Sequence, residues 1–194
     1  SIVIRTKPFV SKIFVVDDGS IDHTGYIADM AGAEVIRTEN NQGKANAVLI
    51  GVEWAREINP DVVVILDSDG QHRPEEIPDL IVPILDGSAD LVIGSRVLDP
   101  TNDIPHYRRM GQKTLDLVTN LASEEKITDS QSGFRALGPK AIENFNFISE
   151  GYNLENDMTD YFSRIGLRIT EVPISVSYKG NTIHKKNPVS HGIG

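Results

Sequence analysis

Apolar runs alternate with helical patterns along the chain. Residues 62–66 form a β-branched run bounded by Pro60 and Gly70, which predicts a buried strand, and residues 12–16 predict another. Between these two runs, apolar residues recur at helical spacing over Lys44–Glu57. This alternation predicts βαβ units, and therefore an α/β fold in which helices flank a mostly parallel sheet.

The remaining elements are predicted from shorter patterns. Helices are predicted over Thr24–Met30, 74–86 with a kink or early stop at Pro83, 107–122, 139–144 and 154–165; strands are predicted over Glu34–Arg37, 90–94, 132–137 and 167–172, and a loop over 98–105. Residues 1–10 resemble the end of a helix, and a doubly wound domain normally has a strand before such a helix. We therefore expect that the sheet lacks its first strand and that the chain is a fragment.

Size and composition limit the classes of protein. The 194 residues suit a single domain, 1–194, and 39% hydrophobic and 24% charged residues are typical of a globular protein. A formal net charge of −9 argues against nucleic-acid binding, and the absence of cysteine excludes disulfides and thiolate metal sites. The basic residues of the segment 178–194 could face phosphates or a membrane surface, or form a solvated tail.

An acidic cluster follows the apolar run 62–66. Asp67, Asp69 and Gln71 alternate at this strand end and present three oxygen-bearing side chains. Mg²⁺ and Mn²⁺ prefer such ligands, and open α/β sheets place their sites at the carboxyl ends of strands. The alternative is a polar loop of solvated acids.

A second strand end repeats this acidic pattern. Asp17 and Asp18 follow the run 12–16 and precede Gly19-Ser20, a tight-turn sequence in which Ser20 or Asp22 could cap the next helix. The two acids could serve only turn and cap geometry. Two acidic strand ends in one small domain nevertheless favour a shared site.

Taken together, these segments resemble the family-two glycosyltransferases of the GT-A (Rossmann-like) fold, and more closely the dolichyl- or polyprenyl-phosphate sugar transferases, which include the dolichol-phosphate mannose synthases. The matching segments cover nearly the whole chain in family order and are 15–24, 41–47, 66–72, 93–96, 129–135, 155–158 and 171–174. The family's first strand, which holds the nucleotide base, has no counterpart here.

The resemblance implies that residues 1–100 bind the nucleotide and metal. Asp17 and Asp18 would contact the base and ribose, with Lys44 near the nucleotide. A Mg²⁺ or Mn²⁺ ion bridging the donor diphosphate would be held by Asp67, Asp69 and Gln71. His72 is expected to be a structural neighbour of this loop, since oxygen ligands suffice.

The resemblance also implies that residues 101–194 bind the acceptor. The residues that would receive the phosphate of the lipid are Arg96, Arg109 and Ser132, with Arg135 close by. Arginine's planar fork suits a phosphate, although Arg96 and Arg135 could instead pair with nearby acids. Glu155 and Asp157 could bind the sugar or orient these arginines, or simply stabilise a helix dipole.

The implied reaction is inverting, metal-dependent transfer of a sugar from a UDP- or GDP-linked donor to dolichyl or polyprenyl phosphate, at the cytoplasmic face of a membrane. The protein would be peripheral there, or tethered by segments absent from this chain. The ending 185–192 resembles archaeal members and favours UDP-linked glucose or N-acetylglucosamine. An ionised acceptor phosphate needs no general base, whereas a sugar hydroxyl acceptor would need Asp129 or Asp157.

Three rival functions also fit parts of the sequence. A haloacid-dehalogenase-type phosphatase would use Asp67 as its nucleophile, since an apolar strand followed by Asp-x-Asp-Gly resembles that motif. A receiver-like signalling module would use the acids at residues 17 and 18 as its acidic pocket. The third rival is a domain that binds a nucleotide but has no catalytic activity, and the missing first strand is compatible with it.

Overall fold

The computed structural model describes residues 1–99, 127–146 and 153–176. Helices in these ranges are α1 (Ile2–Thr6), α2 (Thr24–Met30), α3 (Lys44–Glu57), α4 (Ile77–Leu85), α5 (Pro139–Glu143) and α6 (Leu154–Arg164), with 3₁₀ turns at Lys7–Phe9 and Pro74–Glu76. Strands are β1 (Phe14–Asp17), β2 (Glu34–Arg37), β3 (Val63–Ile65), β4 (Leu91–Ser95), β5 (Arg135–Leu137) and β6 (Ile169–Pro173). The predicted helix 107–122, most of the loop 98–105, Arg109 and the basic tail lie outside the described residues.

The strands form two sheets. β1 and β2 pair in parallel, while the second sheet has the order β3-β5-β4-β6. β4 and β6 are parallel, and β5 runs antiparallel to β3 and β4. Three of the four strands therefore share one direction, as predicted. The predicted strand 132–137 begins only at Arg135, because the carbonyls of Ser130 and Ser132 accept hydrogen bonds from the Arg135 side chain.

Helices cover both faces of the four-stranded sheet. On β4, Leu91 and Ile93 point into a core formed with α3, α5 and α6, and Val92 points into a core formed with α4. All three residues are fully buried, which explains why this strand reads as a continuous apolar run. α3 also packs against β1, so it links the two sheets.

The region 74–86 departs from its prediction. It opens with a 3₁₀ turn, and α4 then continues through Pro83 to Leu85, so the early stop at the proline is wrong. The alternative, a kink at Pro83, stays a prediction. No helix of the described ranges is long and apolar enough to cross a bilayer.

An ion pair joins the amino ends of β4 and β6. The Arg168 side chain donates to both carboxylate oxygens of Asp90 at 3.0 Å, and the Arg168 backbone N–H donates to the same carboxylate. The Asp90 side chain is 9% exposed. The hydrogen bonds from Arg168 outweigh burial and lower the pKa of Asp90 to about 2.

We expect Asp90→Asn to lower the free energy of unfolding by about 1–2 kcal/mol at pH 7. Because the folded state lowers this pKa, the contribution is complete above pH ~4 and disappears as the pH falls towards 2. Urea denaturation across this pH range measures the difference. Asp79→Asn, at an exposed position of α4, is the control and should change stability little at any pH. An Asp90→Asn effect that persists unchanged at pH 2 would contradict the ionic origin.

Candidate active site

Four chain segments meet beyond the carboxyl end of β3. Asp67 follows this strand, Lys44 is the first residue of α3, and Glu155 lies in the first turn of α6. The Lys44 ammonium lies 2.9 and 3.0 Å from the two carboxylate oxygens of Asp67 and 2.6 Å from Glu155 Oε1. Gly133 lies against the same carboxylate. Burial alone would lower the pKa of Lys44, but the charges of Asp67 and Glu155 outweigh it and raise this pKa. Lys44 is therefore a cation held between two acids.

Asp18 fixes the turn that places Lys44. Its carboxylate accepts the backbone N–H groups of Gln42 and Gly43 and the hydroxyl of Thr38. Gly43 has a φ of +90°, a left-handed conformation that favours glycine immediately before α3. Burial opposes ionisation of Asp18, yet these hydrogen bonds lower its pKa.

Asp17 is buried at the end of β1. One carboxylate oxygen accepts the backbone N–H of Ser20, and the second oxygen lies 3.7 Å from Arg37 Nε. Gly25 of α2 leaves room for this second oxygen, since a Cβ there would lie 2.6 Å away. Asp17 and Asp18 thus both have the turn role that the sequence left open, and neither caps α2 or α3 with its side chain. Their contact with a nucleotide stays a prediction.

The loop after β3 offers oxygen ligands to solvent. Asp69 is exposed and accepts the backbone N–H of Gln71 at 2.9 Å, while Gly70 has a φ of +79°. The Asp67 side chain is 33% exposed. Two carboxylates and an amide suit a hard divalent cation with open positions. Within residues 1–99, 127–146 and 153–176, no three His, Cys, Asp or Glu residues cluster to hold a metal. The assignment of Asp67, Asp69 and Gln71 to a metal stays a prediction.

Arg96 is paired with a buried acid. Its Nε and Nη2 donate to the two oxygens of Asp129 at 2.7 and 2.6 Å, and its backbone N–H donates as well. Asp129 is fully buried, and its own backbone N–H donates to Glu171. The structure therefore shows the acid pairing of Arg96 that the sequence left open.

Arg135 and Ser132 lie inside the protein. The Arg135 guanidinium is 1% exposed and donates to the carbonyls of Ser130 and Ser132 and to the Thr159 hydroxyl. Burial lowers its pKa to about 10, which leaves it charged at neutral pH. Ser132 is also fully buried, and its hydroxyl accepts the Phe134 N–H at 3.4 Å. Both side chains are buried among the described residues, and Arg135 holds the loop that carries Gly133. Their contact with the acceptor phosphate stays a prediction.

Two features of this site escape the sequence patterns. A Cβ at Gly133 would lie 2.3 Å from Asp67 Oδ2, so close packing against the acid requires glycine. Glu155 forms an ion pair with Lys44, a contact that the sequence did not predict. His72 is buried against Phe134 with ring centroids 5.4 Å apart, consistent with its expected role as a structural neighbour.

Comparisons with known proteins identify the family. The profile of glycosyl transferase family 2 matches residues 3–145. An undecaprenyl-phosphate mannosyltransferase of Micrococcus luteus is 36% identical over 175 residues, which are 85% of this chain and 71% of that protein. A UDP-N-acetylglucosamine–dolichyl-phosphate N-acetylglucosaminyltransferase of Methanococcus voltae is 31% identical, covering 86% of this chain and 75% of that protein.

A solved structure confirms the fold. Glucosyl-3-phosphoglycerate synthase from Mycobacterium tuberculosis, in complex with Mn²⁺, UDP and glucosyl-3-phosphoglycerate, superimposes with a TM-score of 0.72 at 23% identity. The match covers 98% of this chain and 68% of that one, and it confirms the GT-A architecture. By sequence and by fold, the chain belongs to glycosyl transferase family 2 and is a glycosyltransferase.

Proposed function

We propose that the protein transfers a sugar, with inversion, from a nucleotide diphosphate sugar to a polyprenyl or dolichyl phosphate. The observation that carries the proposal is that Lys44 contacts both Asp67 and Glu155, next to the exposed Asp69. This arrangement puts oxygen ligands and a cation together at the strand end where open α/β sheets bind their ligands. The mannosyltransferase of Micrococcus luteus and the N-acetylglucosaminyltransferase of Methanococcus voltae are named for lipid-phosphate acceptors, which supports the choice of acceptor.

The donor site is assigned to residues 1–100. Asp67, Asp69 and Gln71 would hold a Mg²⁺ or Mn²⁺ ion, which when bound supplies Lewis-acid stabilisation of the leaving diphosphate. Lys44 would add a positive charge beside the same phosphates. Asp18 keeps the turn before α3 in place, and Asp17 holds the turn after β1. We assign both acids to the base and ribose of the donor, whose base is uracil or guanine.

The acceptor site is assigned to residues 101–194 together with Arg96. Arg96 is 17% exposed, and we assign it and Arg109 to the acceptor phosphate. Asp129 is fully buried and bound to Arg96, which disfavours it as a general base for a hydroxyl acceptor. A phosphate acceptor is already ionised at neutral pH and needs no base, so the geometry favours lipid phosphate. A lipid acceptor would place the protein at a membrane surface, which we assign to the cytoplasmic face.

Because the chain belongs to glycosyl transferase family 2, we reject the phosphatase and receiver hypotheses. A family-two transferase acting on a sugar hydroxyl remains the competing reaction, with Asp157, in the first turn of α6, as its base.

A donor and acceptor screen of the full-length protein tests the proposal. With polyprenyl phosphate and Mn²⁺ or Mg²⁺, we expect a sugar from one UDP- or GDP-linked donor to appear on the lipid, and we expect EDTA to abolish transfer. Neutral polyprenol and free sugars are the control acceptors. Transfer to a sugar hydroxyl with none to the lipid phosphate would contradict the proposed acceptor, and full activity in EDTA would contradict the metal.

A further inference from the structure

The ammonium group of Lys44 lies close to three acidic oxygen atoms. The contacts to Asp67 Oδ1, Asp67 Oδ2 and Glu155 Oε1 are 2.9, 3.0 and 2.6 Å. Asp67 Oδ2 accepts a hydrogen bond from this ammonium, and the other two oxygens lie within ion-pair distance of it. Lys44 is therefore the counter-ion of the acid that the proposed function assigns to the metal.

Lys44 and Gly133 both lie close to one carboxylate oxygen of Asp67. Gly133 lies so close to Asp67 Oδ2 that even a Cβ would stand 2.3 Å away, and the same Cβ would be 3.1 Å from Lys44 Nζ. A divalent cation held by Asp67 would share this carboxylate with the ammonium. The two positive charges would repel each other there.

We propose that Lys44 is an internal counter-ion that leaves Asp67 when the metal and a diphosphate bind, keeping its contact with Glu155 and turning its charge to the diphosphate. The inference rests on the proposed function, because it takes the metal to bind at Asp67. The lysine side chain has a flexible four-carbon stem, so its ammonium can move while the backbone of α3 stays in place. Asp18 holds the turn before α3, which fixes the backbone position of Lys44.

The displacement couples the binding of metal and nucleotide. A metal ion arriving alone must remove Lys44 from Asp67 and offers the ammonium no replacement for that anion. A diphosphate arriving with the metal supplies the replacement. The wild-type protein should therefore bind metal weakly alone and more tightly with a nucleoside diphosphate, and part of this cooperativity should depend on Lys44.

Titration of the full-length protein with Mn²⁺ tests this coupling. The electron paramagnetic resonance signal of free Mn²⁺ decreases as the ion binds, so its loss measures binding. For Lys44→Met we expect Mn²⁺ alone to bind on the order of tenfold more tightly than to wild type, because its competitor is gone. The additional tightening produced by UDP or GDP should shrink by a similar factor. A merely structural role for Lys44 predicts the opposite sign for Mn²⁺ alone, namely weaker binding through a disturbed site.

Lys12→Met is the matched control. Lys12 also pairs with an acid, Glu34 at 2.9 Å, so this variant removes the same charge from a different ion pair and should leave both measurements unchanged. If circular dichroism shows that Lys44→Met is unfolded, Lys44→Gln gives the same comparison with an uncharged hydrogen-bond donor.

The outcomes separate this inference from the proposed function. If wild type binds Mn²⁺ in an Asp69-dependent manner and the Lys44 variant binds Mn²⁺ alone no more tightly, the counter-ion proposal is overturned and the metal site stands. If wild type shows no Asp69-dependent Mn²⁺ binding, with or without nucleotide, the metal assignment and the counter-ion proposal both fall.

Discussion

Asp69→Ala should reduce sugar transfer on the order of a thousandfold while leaving the fold intact. Asp69 is exposed in the loop after β3, and its carboxylate accepts the Gln71 N–H of the same loop, so its removal affects little packing. Losing a carboxylate from the proposed ligand set weakens the charge stabilisation of the leaving diphosphate, which is the largest catalytic contribution assigned to this site. Initial rates at saturating donor and acceptor, together with Mn²⁺ titration, measure the effect.

Two further variants sharpen this prediction. Asp69→Asn keeps an oxygen that can accept the Gln71 N–H, so it separates loss of charge from loss of the turn and should also lose most transfer. Asp61→Ala removes an exposed acid before the amino end of β3, away from the proposed ligands, and should retain activity. If Asp69→Ala transfers sugar at a rate near that of the wild type, the proposal that this loop binds the metal is wrong.

The elements that the sequence predicts well are those with a clear local pattern of apolar and polar residues. α2 and α3 begin and end at the predicted residues, and β2 does as well. β4 lies within one residue of its predicted limits, because a short, continuous apolar run is typical of a strand whose two faces are both covered. Local chemistry is sufficient for these elements.

The site depends on contacts that a linear pattern does not contain. Lys44 and Glu155 are far apart in the sequence, and only the packing of α3 and α6 against the same sheet brings them to 2.6 Å. Similarly, the late start of β5 follows from the Arg135 side chain, which takes the carbonyls of Ser130 and Ser132. An arginine in a motif suggests a phosphate contact, and its burial becomes visible only in three dimensions.

Arg135 therefore has a role that can be distinguished from acceptor binding. Its three side-chain hydrogen bonds hold the loop that carries Gly133 beside Asp67, and its charge lies in the field of several acids, of which Glu155 and Asp129 contribute most. Removing a buried charge of this kind leaves its partners unsatisfied in a region that water does not reach.

Arg135→Met should lower the free energy of unfolding by about 3–5 kcal/mol, because methionine fills much of the volume but satisfies none of the three acceptors. Urea denaturation of the full-length protein measures this loss. Arg164→Met removes an arginine that is 72% exposed and pairs across one helical turn with Asp160, and it should cost less than about 1 kcal/mol. A stable Arg135→Met protein whose KM for polyprenyl phosphate alone rises would instead mean that this arginine binds the acceptor directly, and that the buried guanidinium reaches the lipid phosphate during turnover.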